Sequence, residues 1–309
     1  MKDIMLQNTS NDKGFNSVFS EVQGYGSLKI PNSNCLRLFH LEMKNSKFSY
    51  LGLHPFLQKN IGRYVFSRAT IENYYLEGEA EAIGLRAIEL LRTASDPNDN
   101  GAGGELGEIL LYLFLEQKLN APKLLSKIEL KTSGNQYVFG SDAVHLLRID
   151  GKTIPSFQLV LGESKIKGDL KSAVDAAFKS IGAAEKNQEN EIRLIEKNIL
   201  AESFDAETTE FIKSLIVPSK RDLSVNVDNA FGIFLGYSLK MDDSQNSNDD
   251  FRVQATKQME QDLLDIAPYI EKKITKSGLS GYSFYIYLLP FNDASDDRAA
   301  IIQKLKGGD

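Results

Sequence analysis

The stretch Glu105 to Leu119, ELGEILLYLFLEQKL, constrains this chain most. It has the length of a helix and is apolar on almost every side, with Leu106, Ile109, Leu110, Leu111, Leu113, Phe114 and Leu115. A helix that is hydrophobic all round is buried. Beyond it the sequence predicts three strands: Lys127 to Lys131, Asp142 to Ile149 and Phe157 to Ile166. Ser133-Gly134-Asn135 and Asp150-Gly151 mark the turns, and the second is a good hairpin signal. A helix from about Asp169 to Ile181 follows, then a charged helical insertion at about 183–217. A strand at Ala230 to Leu239, a helix at Arg252 to Lys276, a strand at Tyr282 to Leu289 and a last helix from Asp296 complete the pattern. This order reads as α/β (α+β): an antiparallel meander feeding a mixed central sheet flanked by helices.

Upstream of the buried helix, residues 1–34 are polar and turn-rich and read as an arm or loosely packed edge. Cys35 to Met43 alternates as a strand does, and Pro55 to Arg92 is a helical stretch broken near Gly62 or Arg68. The run TASDPNDNGAGG, Thr93 to Gly104, cannot continue a helix. It predicts a boundary between an N-terminal accessory region, 1–95, and a main domain, 100–309. Gly101-Ala102-Gly103-Gly104 is no dinucleotide loop, because a helix precedes it and Leu106 occupies the third glycine position.

Composition removes several classes of function. The single cysteine, Cys35, excludes a disulfide scaffold and every cysteine-based zinc or iron–sulfur site, and suits a reducing cytosol. His40, His54 and His145 are too scattered for a zincin. No apolar run approaches the roughly 18 residues of a membrane span, and the first residues lack the profile of a secretion signal, so a cytoplasmic location is expected. The net charge is −6, from 36 Lys plus Arg against 42 Asp plus Glu, which taken alone argues against binding nucleic acid. The acidity is local, however. Residues 241–265 hold seven acids and two bases, and the other 284 residues together carry only −1.

The chemistry concentrates at GESKIKG, Gly162 to Gly168, the end of the third expected strand. Side chains alternate along a strand, so Phe157, Leu159, Leu161, Glu163 and Lys165 share a face. Glu163 and Lys165 then stand about 6.5 Å apart at the mouth of an apolar surface. At a half-exposed strand end such a pair can simply neutralise itself. The hairpin at Asp150-Gly151, however, would bring Asp142 beside Glu163, and two carboxylates repel unless a cation joins them. A hard divalent ion such as Mg²⁺, for which Mn²⁺ can substitute, removes that repulsion. Lys165 is then placed to help deprotonate a water or to stabilise charge on a phosphate. Glu105 and Glu108 lie on one face of the buried helix at its N-terminus, where the helix dipole alone would favour acids; either could also reach the same centre. His145 has the opposite parity to Asp142 and faces away. Tyr74-Tyr75 and the aromatics of GYSFYIYLLPF read as packing residues.

A helix glutamate, an aspartate opening a hairpin strand and Glu-x-Lys on the next strand resemble the PD-(D/E)XK nuclease superfamily. The 21-residue spacing from Asp142 to Glu163 fits, while Ser141 stands where that family's proline would be. The runs GELGEILLYLFLEQ, GSDAVHLL and LGESKIKGDL are more narrowly similar to the HamA nucleases of the Hachiman antiphage defence system. The resemblance implies a restriction-endonuclease-like core and a Mg²⁺-dependent DNA nuclease restrained by a superfamily 2 helicase partner, HamB-like. It assigns metal binding to Asp142, Glu163 and Glu108, the catalytic lysine to Lys165, and the helix acid to Glu108 or Glu105. Lys167 and Lys171 could hold a DNA backbone or be plain solvated charges. A non-catalytic scaffold that binds a helicase and a sequence-specific restriction endonuclease are the competing readings.

Overall fold

The computed structural model describes residues 6–10, 13–23, 27–94, 104–132, 140–186, 192–193, 196–197, 205–216, 224–241 and 247–308. Its strands in chain order are β1 (Ser20–Glu21), β2 (Asn34–His40), β3 (Met43–Lys44), β4 (Lys47–Phe48), β5 (Ala143–Ile149), β6 (Ser156–Lys167), β7 (Asn226–Ser238) and β8 (Ser283–Phe291). Six of them form one sheet in the order β1-β2-β8-β7-β6-β5. The four inner strands β2, β8, β7 and β6 run parallel, and the edge strands β1 and β5 are antiparallel to their neighbours. Parallel strands lie under helices on both faces, which is why β8, SFYIYLLPF, is buried at every position.

The helices are α1 (Phe15–Val18), α2 (Leu53–Val65), α3 (Arg68–Leu76), α4 (Ile83–Ala94), α5 (Glu105–Gln117), α6 (Lys127–Thr132), α7 (Leu170–Lys186), α8 (Ala206–Ile216), α9 (Asn248–Lys276) and α10 (Ala294–Leu305). Helix α5, buried from Leu106 through Leu115 except at Glu108, packs on β6 and β7 beside α2 and α10. Helix α7 packs on the same two strands and touches α9. No helix among the described residues is long and apolar enough to cross a membrane.

Most expected elements are present, with shifted ends. The long helical stretch is broken twice, at Phe66-Ser67 and again between Leu76 and Ile83; at the first break Ser67 caps α3 by accepting from the Thr70 amide at 3.2 Å. Gly62 is buried inside α2, and a Cβ there would meet Ile83 Cγ2 at 2.4 Å, so this glycine lets α4 approach. The strand expected at Lys127 to Lys131 is instead helix α6. Glu129 accepts from the Ser67 amide and the Thr70 hydroxyl, both at 2.5 Å, and this tertiary anchor overrides the period-two pattern of KIELK. The strand-like pairing lies just upstream, at Lys123 against His145, so the expected three-stranded meander is here the single hairpin β5–β6 with one isolated bridge beside it. The N-terminal arm is also corrected: Phe15 and Phe19 are buried, and β1 joins the sheet. The turn at Ser133-Gly134-Asn135, most of the boundary at Thr93 to Gly104, and much of 183–217 lie outside the described residues.

Candidate functional site

Strand β6 outruns its neighbour. Its ladder with β5 ends at Ala143 opposite Gly162, followed by one further bond from the Asp142 amide to the Gly162 carbonyl at 2.8 Å, while its pairing with β7 continues to Lys167. Beyond Gly162 the β5 side of the strand is therefore open. Asp142 fills it: its Oδ2 accepts from the Ser164 amide at 2.8 Å and the Ser164 hydroxyl at 2.9 Å.

Phe157, Leu159 and Leu161 are buried, and the Glu163 side chain that continues their face is only 5% exposed. Lys165 Nζ donates to Glu163 Oε1, and to the Ser164 carbonyl at 3.1 Å. Burial, and then the Asp142 charge, push the Glu163 carboxyl up to about 7, while Lys165 and the Ser180 hydroxyl pull it down. The opposite face of β6 lies against α5, where a Cβ on Gly107 would meet Ser164 Cβ at 3.2 Å. A second lysine completes the centre: Lys127 Nζ lies 3.7 Å from Asp142 Oδ1 and donates to the Ser141 carbonyl at 2.7 Å.

The first-turn acids of α5 come near without joining the pair. Tyr64 of α2 donates to Glu108 Oε2 at 3.2 Å, and Lys306 Nζ lies 3.0 Å from Glu105 Oε1. The Tyr64 phenol is pushed well above its usual range by burial and then by the charges of Glu108, Asp142 and Glu105. Among the described residues, no three His, Cys, Asp or Glu side chains are grouped so that they could hold one metal ion. The structure thus brings Asp142, Glu163 and Lys165 together and leaves Glu108 and Glu105 with other partners. Lys167 is exposed at the strand end, and Lys171 lies over the Tyr269 ring at 5.8 Å. His145 is buried beside Tyr112, its Nδ1 2.7 Å from the Ala121 carbonyl oxygen. Tyr75, expected to pack, is 57% exposed.

Two carboxylates at adjoining strand ends, one too buried to ionise easily, are a donor set that a hard divalent cation fits. Next in sequence to Asp142, Ser141 Oγ is buried with no hydrogen-bond partner among the described residues, a further oxygen consistent with that fit. Sequence reasoning missed Lys127, Ser164 and Tyr64. The lysine sat in a segment expected to be a strand, and neither of the others stands out in the sequence.

The class defined by this fold is a mixed α/β protein, a six-stranded sheet between helical layers that carries acid, acid and lysine where β6 outruns β5, an architecture consistent with a nuclease-like core. The HamA family model matches residues 15–305, and the chain belongs to the HamA family. That membership ties it to Hachiman defence. No curated protein matches the chain.

Proposed function

We propose that this protein is a divalent-metal-dependent DNA nuclease, the effector of a Hachiman-type antiphage system, working with a superfamily 2 helicase that restrains it. The observation that carries this reading is the meeting of Asp142, Glu163 and Lys165 at the open end of β6. Asp142 and Glu163 would hold Mg²⁺ or Mn²⁺, with Glu108 on α5 the candidate further acid. When bound, such an ion supplies Lewis-acid activation of water and neutralises phosphate charge. Lys165, oriented by Glu163, presents its ammonium to the scissile phosphate and stabilises the charge that develops in hydrolysis. The carboxylates themselves repel an anionic backbone, so DNA affinity depends on the cation, on lysines such as Lys167 and Lys171, and on the partner.

Supercoiled-plasmid cleavage in Mg²⁺ tests the assignment. Glu163→Gln and Lys165→Ala should each lower the rate by about 10²–10³-fold or more while leaving the fold intact by circular dichroism. Full activity in both variants overturns it.

A further inference from the structure

The two oxygens of Asp142 are used differently. Oδ2 is taken by the amide and hydroxyl of Ser164, at 2.8 and 2.9 Å, which leaves Oδ1 as the oxygen open to a cation. Oδ1 is the atom beside Lys127, whose ammonium lies 3.7 Å away. Lys127 is not a loose surface chain. Its side chain is 13% exposed, its Nζ donates to the Ser141 carbonyl at 2.7 Å, and its helix is pinned to the start of α3 by the two bonds of Glu129. Lys165, at 27% exposure, already has Glu163 as its partner. The ammonium of Lys127 is therefore a fixed positive charge facing the Asp142 oxygen that a metal would take.

We propose that Lys127 is a positioning residue that competes with the divalent cation for Asp142 Oδ1 and so sets the metal affinity of the site. The inference rests on the metal-site reading above and goes beyond it, since it assigns the tuning of that site to a lysine on α6. Two like charges a few ångströms apart in a partly desolvated pocket repel by enough to change an equilibrium constant on the order of tenfold. Removing the charge should tighten metal binding, although Lys127 itself supplies no ligand.

Calorimetric titration of the full chain with Mn²⁺ alone tests this without reference to cleavage. Lys127→Met removes the charge. Lys127→Gln removes it while keeping a donor for the Ser141 carbonyl, which guards against loss of fold. Both should bind Mn²⁺ about tenfold more tightly than the wild type, Lys127→Arg should bind as the wild type does, and Asp142→Asn should lose the site. Unchanged or weaker binding in both charge-removed variants, with wild-type binding still abolished by Asp142→Asn, overturns the role of Lys127 and leaves the metal site standing. Absence of binding in every variant overturns both.

Discussion

His145 and Glu116 form a buried acid–base pair on the face of the sheet covered by α5, and they make stability depend on pH. Burial drives the imidazole down to about 4, even though the Glu116 carboxylate and the Ala121 carbonyl favour its charged form; Lys123 and Arg68 also disfavour the charge. Burial raises the Glu116 carboxyl, but the His145 charge and hydrogen bonds from Lys123, Ser10 and Thr9 hold it below its usual value. Both shifts are depressions. The unfolded chain takes up protons that the folded chain refuses, so stability is complete above the usual histidine value and falls as the pH drops from about 6.5 toward 4. Between pH 7.5 and 5.5 the His145 contribution is about 1.4 kcal/mol, one pKa unit. Urea unfolding of the wild type and His145→Gln at the two pH values checks this: the variant should lose about that much less, and equal losses would show that the imidazole is not the sensor. At this scale Asp142, Glu163 and Lys165 were legible, because alternation and a hairpin signal are enough to align two strand ends. Lys127, Ser164 and Tyr64 were not. Their roles come from hydrogen bonds and burial between segments distant in sequence, which no local period encodes.

Helix α5 fits its sheet through missing side chains. A Cβ on Gly162 would meet Ala143 Cβ at 2.7 Å and Leu111 Cδ2 at 2.8 Å, and one on Gly232 would meet Leu115 Cδ2 at 2.6 Å. The helix that was read as buried from its sequence is thus seated on glycines of β6 and β7. Gly162→Val should overpack this contact and cost about 1–3 kcal/mol in chemical denaturation, more than a valine on an open strand face would. A loss below about 0.5 kcal/mol would mean that α5 is free to lift. Strong periodicity made α5, β6, β7, β8 and α9 readable, since each buries the stripe or run its pattern announces. The pattern of KIELK was misleading because so short a run satisfies either period, and the deciding contact, Glu129 on Ser67 and Thr70, lies about 60 residues away in sequence. Polarity misled at residues 1–34, where Phe15 and Phe19 are few enough to be outweighed by the turn residues around them.

Over the whole molecule, apolar packing runs continuously across the punctuation at Thr93 to Gly104. A single cluster of buried residues extends from Phe15 to Leu305, and strand β2 from the N-terminal part pairs in parallel with β8 near the C-terminus. The join is aromatic. The Phe15 ring lies 4.8 Å from Phe19, 5.9 Å from Phe56 and 5.1 Å from Phe114 of α5, so the first helix of the chain is packed on the helix beneath the candidate site. The polar segment before it is tied down as well, with the Thr9 hydroxyl and the Ser10 amide donating to Glu116 at 2.9 and 2.5 Å. Shared packing of this kind makes folding cooperative, because neither side of the punctuation can bury its apolar surface without the other. Urea unfolding should therefore be a single transition, with the same midpoint by far-ultraviolet circular dichroism and by tyrosine emission, the natural fluorescence probe in a chain without tryptophan. Phe15→Ala should shift both curves together by about 3–5 kcal/mol. Two transitions, only one of them moved by this substitution, would instead divide the chain near residue 100 into independently folding parts, and β2 would have to leave the sheet while the strands that carry Asp142 and Glu163 stayed folded.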